Sequence, residues 1–419
     1  MAILRLAWLS LINRRVTAAL TLLSIALSVT LLIGVERIRV DARQSFANTI
    51  SGTDLIIGAR SGGVQLMLYA VFRIGNATNN ISWQSYQAIA SHPDVAWSVP
   101  ISLGDSHQGF RVLGTSLDYF NHYRFARNRS LELAQGQTFN DLYDAVLGAE
   151  VAAALNYHLG DSLVIAHGAS DVSFTRHEDK PFKVAGVLKA TGTPVDRTVH
   201  VSLSAIEAIH IDWQGGAPLP ALNVPADQAR NADLTPRAIT AGLLGLKSKI
   251  ATFQVQRFVN DYPHEPLTAI LPGVALSELW GIIGIAENAL LVVASFVVVV
   301  GLFGMLSALL TSLNERRREM AILRSVGARP AHIFSLIMGE AAVLTLAGII
   351  AGLGLLYALL LVAQPLVETR YGIYMAIGGL SGHEFTLLGI VWSSGCLVGT
   401  IPAYRAYRLS LSDGLAIRT

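Results

Sequence analysis

The chain has 419 residues, of which 52% are hydrophobic and 14% charged, with a net charge of +2. A mean hydropathy of +0.48 sets it apart from soluble enzymes, and the lack of any basic stripe excludes a nucleic-acid partner. The single cysteine, Cys396, excludes an internal disulfide and any multi-cysteine metal site, leaving a membrane protein with a sizeable water-soluble part.

In chain order, residues 1–15 read as an amphipathic N-terminus carrying Arg5, Arg14 and Arg15. Residues 16–50 are expected to form transmembrane helix 1 and a helical stalk. The stretch "TAALTLLSIALSVTLLIGV" (17–35) contains no charge and is just long enough to cross a bilayer core of about 30 Å. It is too long for the apolar region of a signal peptide, and "ERIRVDARQS" after it offers no small-residue cleavage site.

Residues 51–272 have the patterning of an α+β domain. Strands are expected at "VAWSVPISLG", "QGFRVLGTS", "DSLVIAHG", "FKVAGVLKA" and "TVHVSL". Helical periodicity appears in "SWQSYQAIAS", with Ser82 as N-cap, and in "AEVAAALNYH". The run "AITAGLLGLKSKIATFQVQRFVNDY" suits a strand followed by a helix. Two lobes are expected, with an insertion at about residues 130–195.

Residues 273–313 hold a second stalk and transmembrane helix 2, and 314–330 form a densely charged segment. Transmembrane helix 3 is expected at 331–364, a short outer loop at 365–384, transmembrane helix 4 at 385–403 and a tail at 404–419. Orientation follows from where Lys and Arg cluster. The N-terminus, the segment with Arg316, Arg317, Arg318, Arg324 and Arg329, and the tail with Arg405, Arg408 and Arg418 are the basic flanks. Both termini are therefore expected in the cytoplasm. The fold class is thus four transmembrane α-helices with a large α+β extracytoplasmic domain inserted between helices 1 and 2.

No G-x-x-x-x-G-K-[ST], H-E-x-x-H or G-x-S-x-G occurs in the sequence, so no catalytic residue and no nucleotide site is expected in it. Small residues recur at helix-packing spacing: Ser24 and Ser28 in span one, Gly348 and Gly352 in span three, Gly395 and Gly399 in span four. They suit close approach of helices in a bundle or a dimer. Glu340 falls about two turns into span three, where a carboxylate needs a partner, and an arginine of the preceding charged segment is expected to supply one. Nine of the eleven histidines fall in the outer region. No pair has tight zinc spacing, so no metal site is expected from spacing; His177, His200 and His210 are the candidates if distant residues converge.

In "NERRREMAILRSVGARP" (314–330), Leu313, Met320, Leu323 and Val326 fall near one helical face, and Gly327 with Pro330 ends the helix. A lipid anchor has little use for Glu315 and Glu319, so an amphipathic helix that docks into a protein groove is the better reading. "NERRREMAILRSVGARPAHIFSLIMGEA" resembles the signature of the FtsX/MacB-type ABC transporter permeases, the group that includes LolC and LolE. "SLINRRVTAALTLLSIALSV" is similar to the family's first-span signature and "IPAYRAYRLSLSDGLAIR" to its C-terminal ending. "DLIIGARSGGVQLML" and "GVLKATGTPVDRTVHVSL" look like segments of its periplasmic domains in one bacterial subgroup.

The resemblance implies a coupling helix at 314–327, with Glu315, Arg316, Arg317, Arg318, Glu319, Arg324 and Gly327 carrying the coupling role. It also implies two copies of a separate ABC ATPase, which bind ATP and Mg, and a second permease chain. A periplasmic carrier or lipoprotein, membrane lipid and residence in a bacterial inner membrane complete the expected setting. The expected function is mechanotransmission: ATP hydrolysis elsewhere moves the periplasmic domain, for extraction or export of lipoprotein, peptide or small-molecule cargo. A zinc-handling system of the same fold and a regulator of a periplasmic hydrolase are the alternatives.

Overall fold

The computed structural model describes residues 15–126, 128–168, 177–214, 217–218, 224–371 and 377–408. The expected N-terminal segment 1–14, with Arg5 and Arg14, and the tail 409–419, with Arg418, lie outside the described residues. The chain divides into two compact units. One gathers residues up to Asp41, 284–366 and those from Met375 on; the other comprises 42–283 and 367–374.

Among the described residues, four helices are long and apolar enough to cross a membrane: Arg15–Asn48, Pro272–Glu315, Pro330–Tyr371 and Gly382–Arg408. Two of them run without a break through the stretches expected as stalks. Within the helical unit, small residues set the packing. Ser28 Oγ donates to Ser24 O at 2.8 Å and to Val297 O at 3.1 Å, so both hydroxyls of span one face Gly301 of span two. Thr30 Oγ1 donates to Gly352 O at 2.9 Å. A Cβ at Gly352 would stand 2.7 Å from Ala26 O, and one at Gly348 would stand 2.6 Å from the Ile25 side chain. Gly395 lies against Thr345, and Gly399 against Ala341. Every small-residue position singled out in the sequence therefore meets another helix of the same chain, where van der Waals contact replaces the hydrophobic drive absent in lipid.

The outer unit is built on one eleven-stranded mixed sheet. In chain order its strands are β1 Leu55–Ala59, β2 Val95–His107, β3 Phe110–Thr115, β4 Leu133–Gly136, β5 Asp144–Leu147, β6 Ser162–Leu163, β7 Ala166–His167, β8 Phe182–Leu188, β9 Thr198–Ser202, β10 Ala241–Leu246 and β11 Leu267–Ile270. The spatial order is β11-β1-β10-β2-β3-β9-β5-β8-β4, with β7 beside β2 and β6 beside β8. The β3–β9 and β5–β8 pairs are parallel and the rest antiparallel.

Both faces of this sheet are covered. Val199 and Val201 of β9 join a core with Val112, Leu147, Phe182 and Ile209, while Val146 and Leu113 join another with Ile56, Leu66, Tyr69 and Val99. Because alternate residues of a strand point to opposite faces, the two cores lie on opposite sides. Burial on both faces explains why "DAVL" and "TVHV" are near-continuous apolar runs rather than alternating ones. The segment expected as an insertion, 130–195, supplies β4 to β8. Of these, β5, β8 and β4 form one edge of the sheet that the remaining strands continue.

Local signals account for several elements. Ser82 caps Trp83–Ala90 by accepting from Ser85 N at 3.2 Å, and Ser202 caps Leu203–Ile209 by accepting from Ala205 N at 3.1 Å. The ambiguous run at 238–262 resolves into β10 and helix Thr252–Asn260. "DSLVIAHG" yields two short strands, β6 and β7, that pair with different partners. β2 and β3 form a hairpin whose turn, Gln108 (φ 46°) and Gly109 (φ 83°), is left-handed at both positions. Such a turn matches the natural twist of the two strands.

Candidate functional site

Helix Pro272–Glu315 breaks at Arg316, whose backbone (φ −95°, ψ 9°) leaves the helical region, and a short helix Arg317–Ser325 follows. It stops at Val326; Gly327 then takes φ 101°, a conformation that favours glycine, and Pro330 opens the next helix. Arg316 is buried. Its Nη1 donates to Glu340 Oε2 at 3.0 Å and its Nε to Glu319 Oε2 at 3.1 Å. The carboxylate inside span three thus has its arginine, and the same contact fixes the start of the short helix to the helix that follows it.

This geometry revises the sequence reading in two places. Arg316 is a strut inside the protein rather than a surface charge offered to a partner. The expected apolar stripe is also divided. Leu313 and Met320 are buried with Ile333, Leu336, Ile337, Ala403 and Ala406, whereas Ile322 (51% exposed), Leu323 and Val326 (83%) point outward. Glu315, Glu319 and Arg324 lie on the exposed or half-exposed side; the side chains of Arg317 and Arg318 lie outside the described part of the structure. The short helix thus has one face held by the bundle and a second apolar face left open beside charges.

The opposite end of the helical unit carries an ion network that sequence reasoning missed. Arg37, buried in the first long helix, donates from Nε to Glu384 Oε1 at 3.0 Å. Its Nη2 reaches Tyr357 Oη, Gly378 O and Gly379 O, each at 3.1 Å. Glu36 accepts from Arg39 at 2.7 Å, and His383 Nε2 lies 3.5 Å from it. The run "GVERIR", with two basic residues just past an apolar span, was the available signal; what it lacked was the partner, 347 residues away in sequence.

Of the metal candidates, the structure separates His200 from the other two. His200 sits on β9, fully buried against Tyr119 and Phe120, and its Nδ1 lies 3.1 Å from Val146 O. Burial pushes its pKa down to about 3, so it is a neutral core residue. His210, at the C-terminus of helix Leu203–Ile209, instead converges with Asp105 and His167, which the sequence did not single out together. Asp105 lies where the β2–β3 register shifts between Leu103 and Ser106, which turns its carboxylate inward. His167 stands directly opposite it across β2 and β7.

His167 Nδ1 is 3.0 Å from Asp105 Oδ1 and 3.2 Å from His210 Nε2; His210 Nε2 is 3.5 Å from Asp105 Oδ1. His177 lies next to them, its ring centroid 4.9 Å from that of His210, and Trp213 packs against all three imidazoles. Burial opposes the charge on Asp105, but hydrogen bonds from His167 and His210 overcome it and hold the pKa at about 2. Burial likewise opposes protonation of His210, yet Asp105 raises its pKa. Burial, aided by repulsion from His210, lowers that of His177 to about 4.

A helical unit with four membrane-crossing candidates and a mixed α+β unit define a multi-pass membrane protein with a large domain outside the bilayer. Residues 18–240 match the family described as MacB-like periplasmic core domain, and residues 291–411 the one described as FtsX-like permease C-terminal. The chain belongs to this family of FtsX/MacB-type ABC permeases. It is 24% identical over 438 residues to the probable syringafactin export ATP-binding/permease protein SyfD of Pseudomonas syringae pv. tomato, which covers 98% of this chain and 58% of that protein. It is 34% identical over 135 residues to the macrolide export ATP-binding/permease protein MacB of Nitrobacter winogradskyi, 31% of this chain and 20% of that one. Even in the long alignments the chain spans little more than half the length of these relatives, and the match falls on their permease portion. The crystal structure of the periplasmic region of MacB from Actinobacillus actinomycetemcomitans aligns with 55% of this chain at 12% identity and a TM-score of 0.33; the family assignment rests on the sequence matches.

Proposed function

We propose that this chain is the mechanotransmitting permease subunit of an ABC transporter of the inner membrane. In this reading four transmembrane helices carry the α+β domain between the first and second, with both termini in the cytoplasm and that domain in the periplasm, the orientation that the Lys and Arg clusters favour. Two copies of a separate ABC ATPase and a second permease chain complete the assembly; ATP and Mg bind to the ATPase. Hydrolysis there moves the bundle and, through the helices that continue past it, the periplasmic domain, which extracts or expels lipoprotein, peptide or small-molecule cargo.

The observation that carries this reading is the short helix Arg317–Ser325. Arg316 and Met320 hold it to the bundle, while Ile322, Leu323 and Val326 are exposed among charges. An apolar face on the cytoplasmic side, rigidly joined to two long helices, fits a groove of another protein and transmits its displacement. The absence of a phosphate-binding loop from these 419 residues is consistent with an ATPase on another polypeptide.

The test uses the single native cysteine. In a Cys396→Ser background, Val326→Cys or Ile322→Cys should crosslink in native membranes to an ABC ATPase identifiable by mass spectrometry. Val326→Asp should abolish stimulated ATP hydrolysis in the purified complex without loss of membrane insertion. Crosslinks to lipid alone, or an ATPase rate indifferent to Val326→Asp, would reduce the helix to a membrane anchor.

A further inference from the structure

The cluster formed by Asp105, His167 and His210 has no part in the coupling mechanism, and its geometry points to a cation. Three potential ligand atoms, Asp105 Oδ1, His167 Nδ1 and His210 Nε2, are separated by 3.0, 3.2 and 3.5 Å. A tetrahedral ion with bonds near 2.05 Å to N and O ligands requires neighbouring ligands about 3.3 Å apart. The triangle therefore has the dimensions of one face of such a coordination shell.

Proton counting gives a second reason. His210 Nδ1 lies 2.9 Å from Ile206 O and donates to it, so Nε2 is the ring nitrogen that faces the cluster and the one a metal would take. A ligating histidine is commonly fixed in this way, by donating its other N–H to a backbone carbonyl. Asp105 is an ionised acceptor, 4% exposed. A divalent ion binds imidazole through a deprotonated nitrogen, so its entry would release the protons held at His167 Nδ1 and His210 Nε2. A cation seated among the three converging groups satisfies all three at once.

The surroundings suit an ion. Trp213 lies 4.6 Å from His167 and 5.0 Å from His210, ring centroid to centroid, and supplies an apolar wall. His177 is 3% exposed, and its Nε2 has no hydrogen-bond partner among the described residues. It brings a fourth imidazole to the edge of the cluster. The His167 side chain, 44% exposed, leaves a route from solvent. The ligands come from β2, from β7 and from the end of helix Leu203–Ile209, so an ion would pin three segments that are far apart in sequence.

We propose that Asp105, His167 and His210 form a site for one divalent ion of the zinc class in the outer domain, with His177 as the neighbouring imidazole. Imidazole and carboxylate ligands at tetrahedral spacing favour Zn²⁺ or Co²⁺ over the hard, oxygen-seeking Mg²⁺ and Ca²⁺. The site is a local clamp and does not depend on what the transporter moves.

The experiment uses the untagged full chain in detergent, stripped with a chelator and dialysed. Co²⁺ titration should give the intense visible bands of tetrahedral coordination, saturating at one ion per chain and bleached by Zn²⁺. Asp105→Asn and His210→Gln should each weaken binding by at least about tenfold, whereas His264→Gln, a substitution outside the cluster, should not. Bound Zn²⁺ should raise the thermal midpoint of the parent protein and leave that of Asp105→Asn unchanged. Should those variants fail to fold, the zinc-edge absorption spectrum of the parent protein decides: at least two imidazoles at about 2.0 Å are expected, and fewer overturn the proposal. Absence of tetrahedral Co²⁺ bands, or binding that survives both substitutions, overturns it as well and leaves the three residues as a hydrogen-bonded network.

Discussion

Arg316 and Glu340 show how much one contact decides. Both side chains are almost fully buried and meet at 3.0 Å, so replacing Glu340 leaves the buried guanidinium of Arg316 with the exposed carboxylate of Glu319 in place of a buried one. Glu340→Gln should destabilise the protein by about 3 kcal/mol, because breaking a buried pair costs more than the pair itself contributes. Arg316→Met combined with Glu340→Leu should recover most of that loss. Thermal midpoints of the parent, Glu340→Gln and the double variant, measured in one detergent, check it. His200 makes the matching argument for pH. Its pKa is depressed from an ordinary 6.5 to about 3, so the unfolded state takes up the proton first. Its contribution to stability is complete above pH 6.5 and declines as the pH falls from 6.5 toward 3, by about 2 kcal/mol at pH 5. Unfolding midpoints at pH 7.5 and pH 5 should differ less in His200→Leu than in the parent. The need of Glu340 for an arginine was legible from its position in an apolar run. The choice of Arg316 was not, because five arginines crowd that segment and only the break after Glu315 selects one.

At the scale of elements, the long helices are specified by composition and their mutual packing by a few small residues. Gly352 carries this furthest, since a Cβ there would stand only 2.7 Å from the carbonyl oxygen of Ala26. Gly352→Ala should cost about 1–3 kcal/mol, typical of overpacking, and Gly352→Leu should prevent correct folding of the bundle. Protease resistance in detergent would report both, and Gly354→Ala, which meets nothing within 4 Å, is the control. The short helix Arg317–Ser325 illustrates what helical periodicity conveys and where it stops. It groups Leu313, Met320, Leu323 and Val326 on one side, yet the chain turns at Arg316, and only the first two reach the bundle. Periodicity presumes an unbroken helix; a break re-aims everything after it. In the outer domain the strands at β2, β3, β8 and β9 were legible, because β-branched runs bounded by turn residues leave few alternatives. The division of "DSLVIAHG" between β6 and β7 was not, since each half is held by a different partner strand.

For the whole molecule, continuity of the backbone is the feature that links the two units. Helix Pro272–Glu315 has 44 residues, about 66 Å at 1.5 Å per residue, and passes from one unit into the other near Gly284. Proline at that point would remove a helical hydrogen bond and clash with the carbonyl one turn earlier, at a local cost of about 3 kcal/mol. Gly284→Pro should therefore leave each unit folded while severing the transmission proposed above. The ATP-dependent changes in amide exchange of residues 55–270 that the proposed function expects in the assembled parent protein should disappear in the variant, and their persistence would assign transmission to another path.

The sequence by itself determined the membrane class, the positions of four long apolar helices, the α+β character of the outer region and the family, since these follow from local composition, periodicity and contiguous motifs. Tertiary structure decided which arginine holds Glu340, which partner holds Arg37, and that the small residues are spent inside one chain. It also decided that His210 meets His167 and Asp105 while His200 lies apart in a core. The reason is common to all of these. Each depends on residues brought together across tens or hundreds of positions, and strand register or helix approach, which no local pattern encodes, fixes who meets whom.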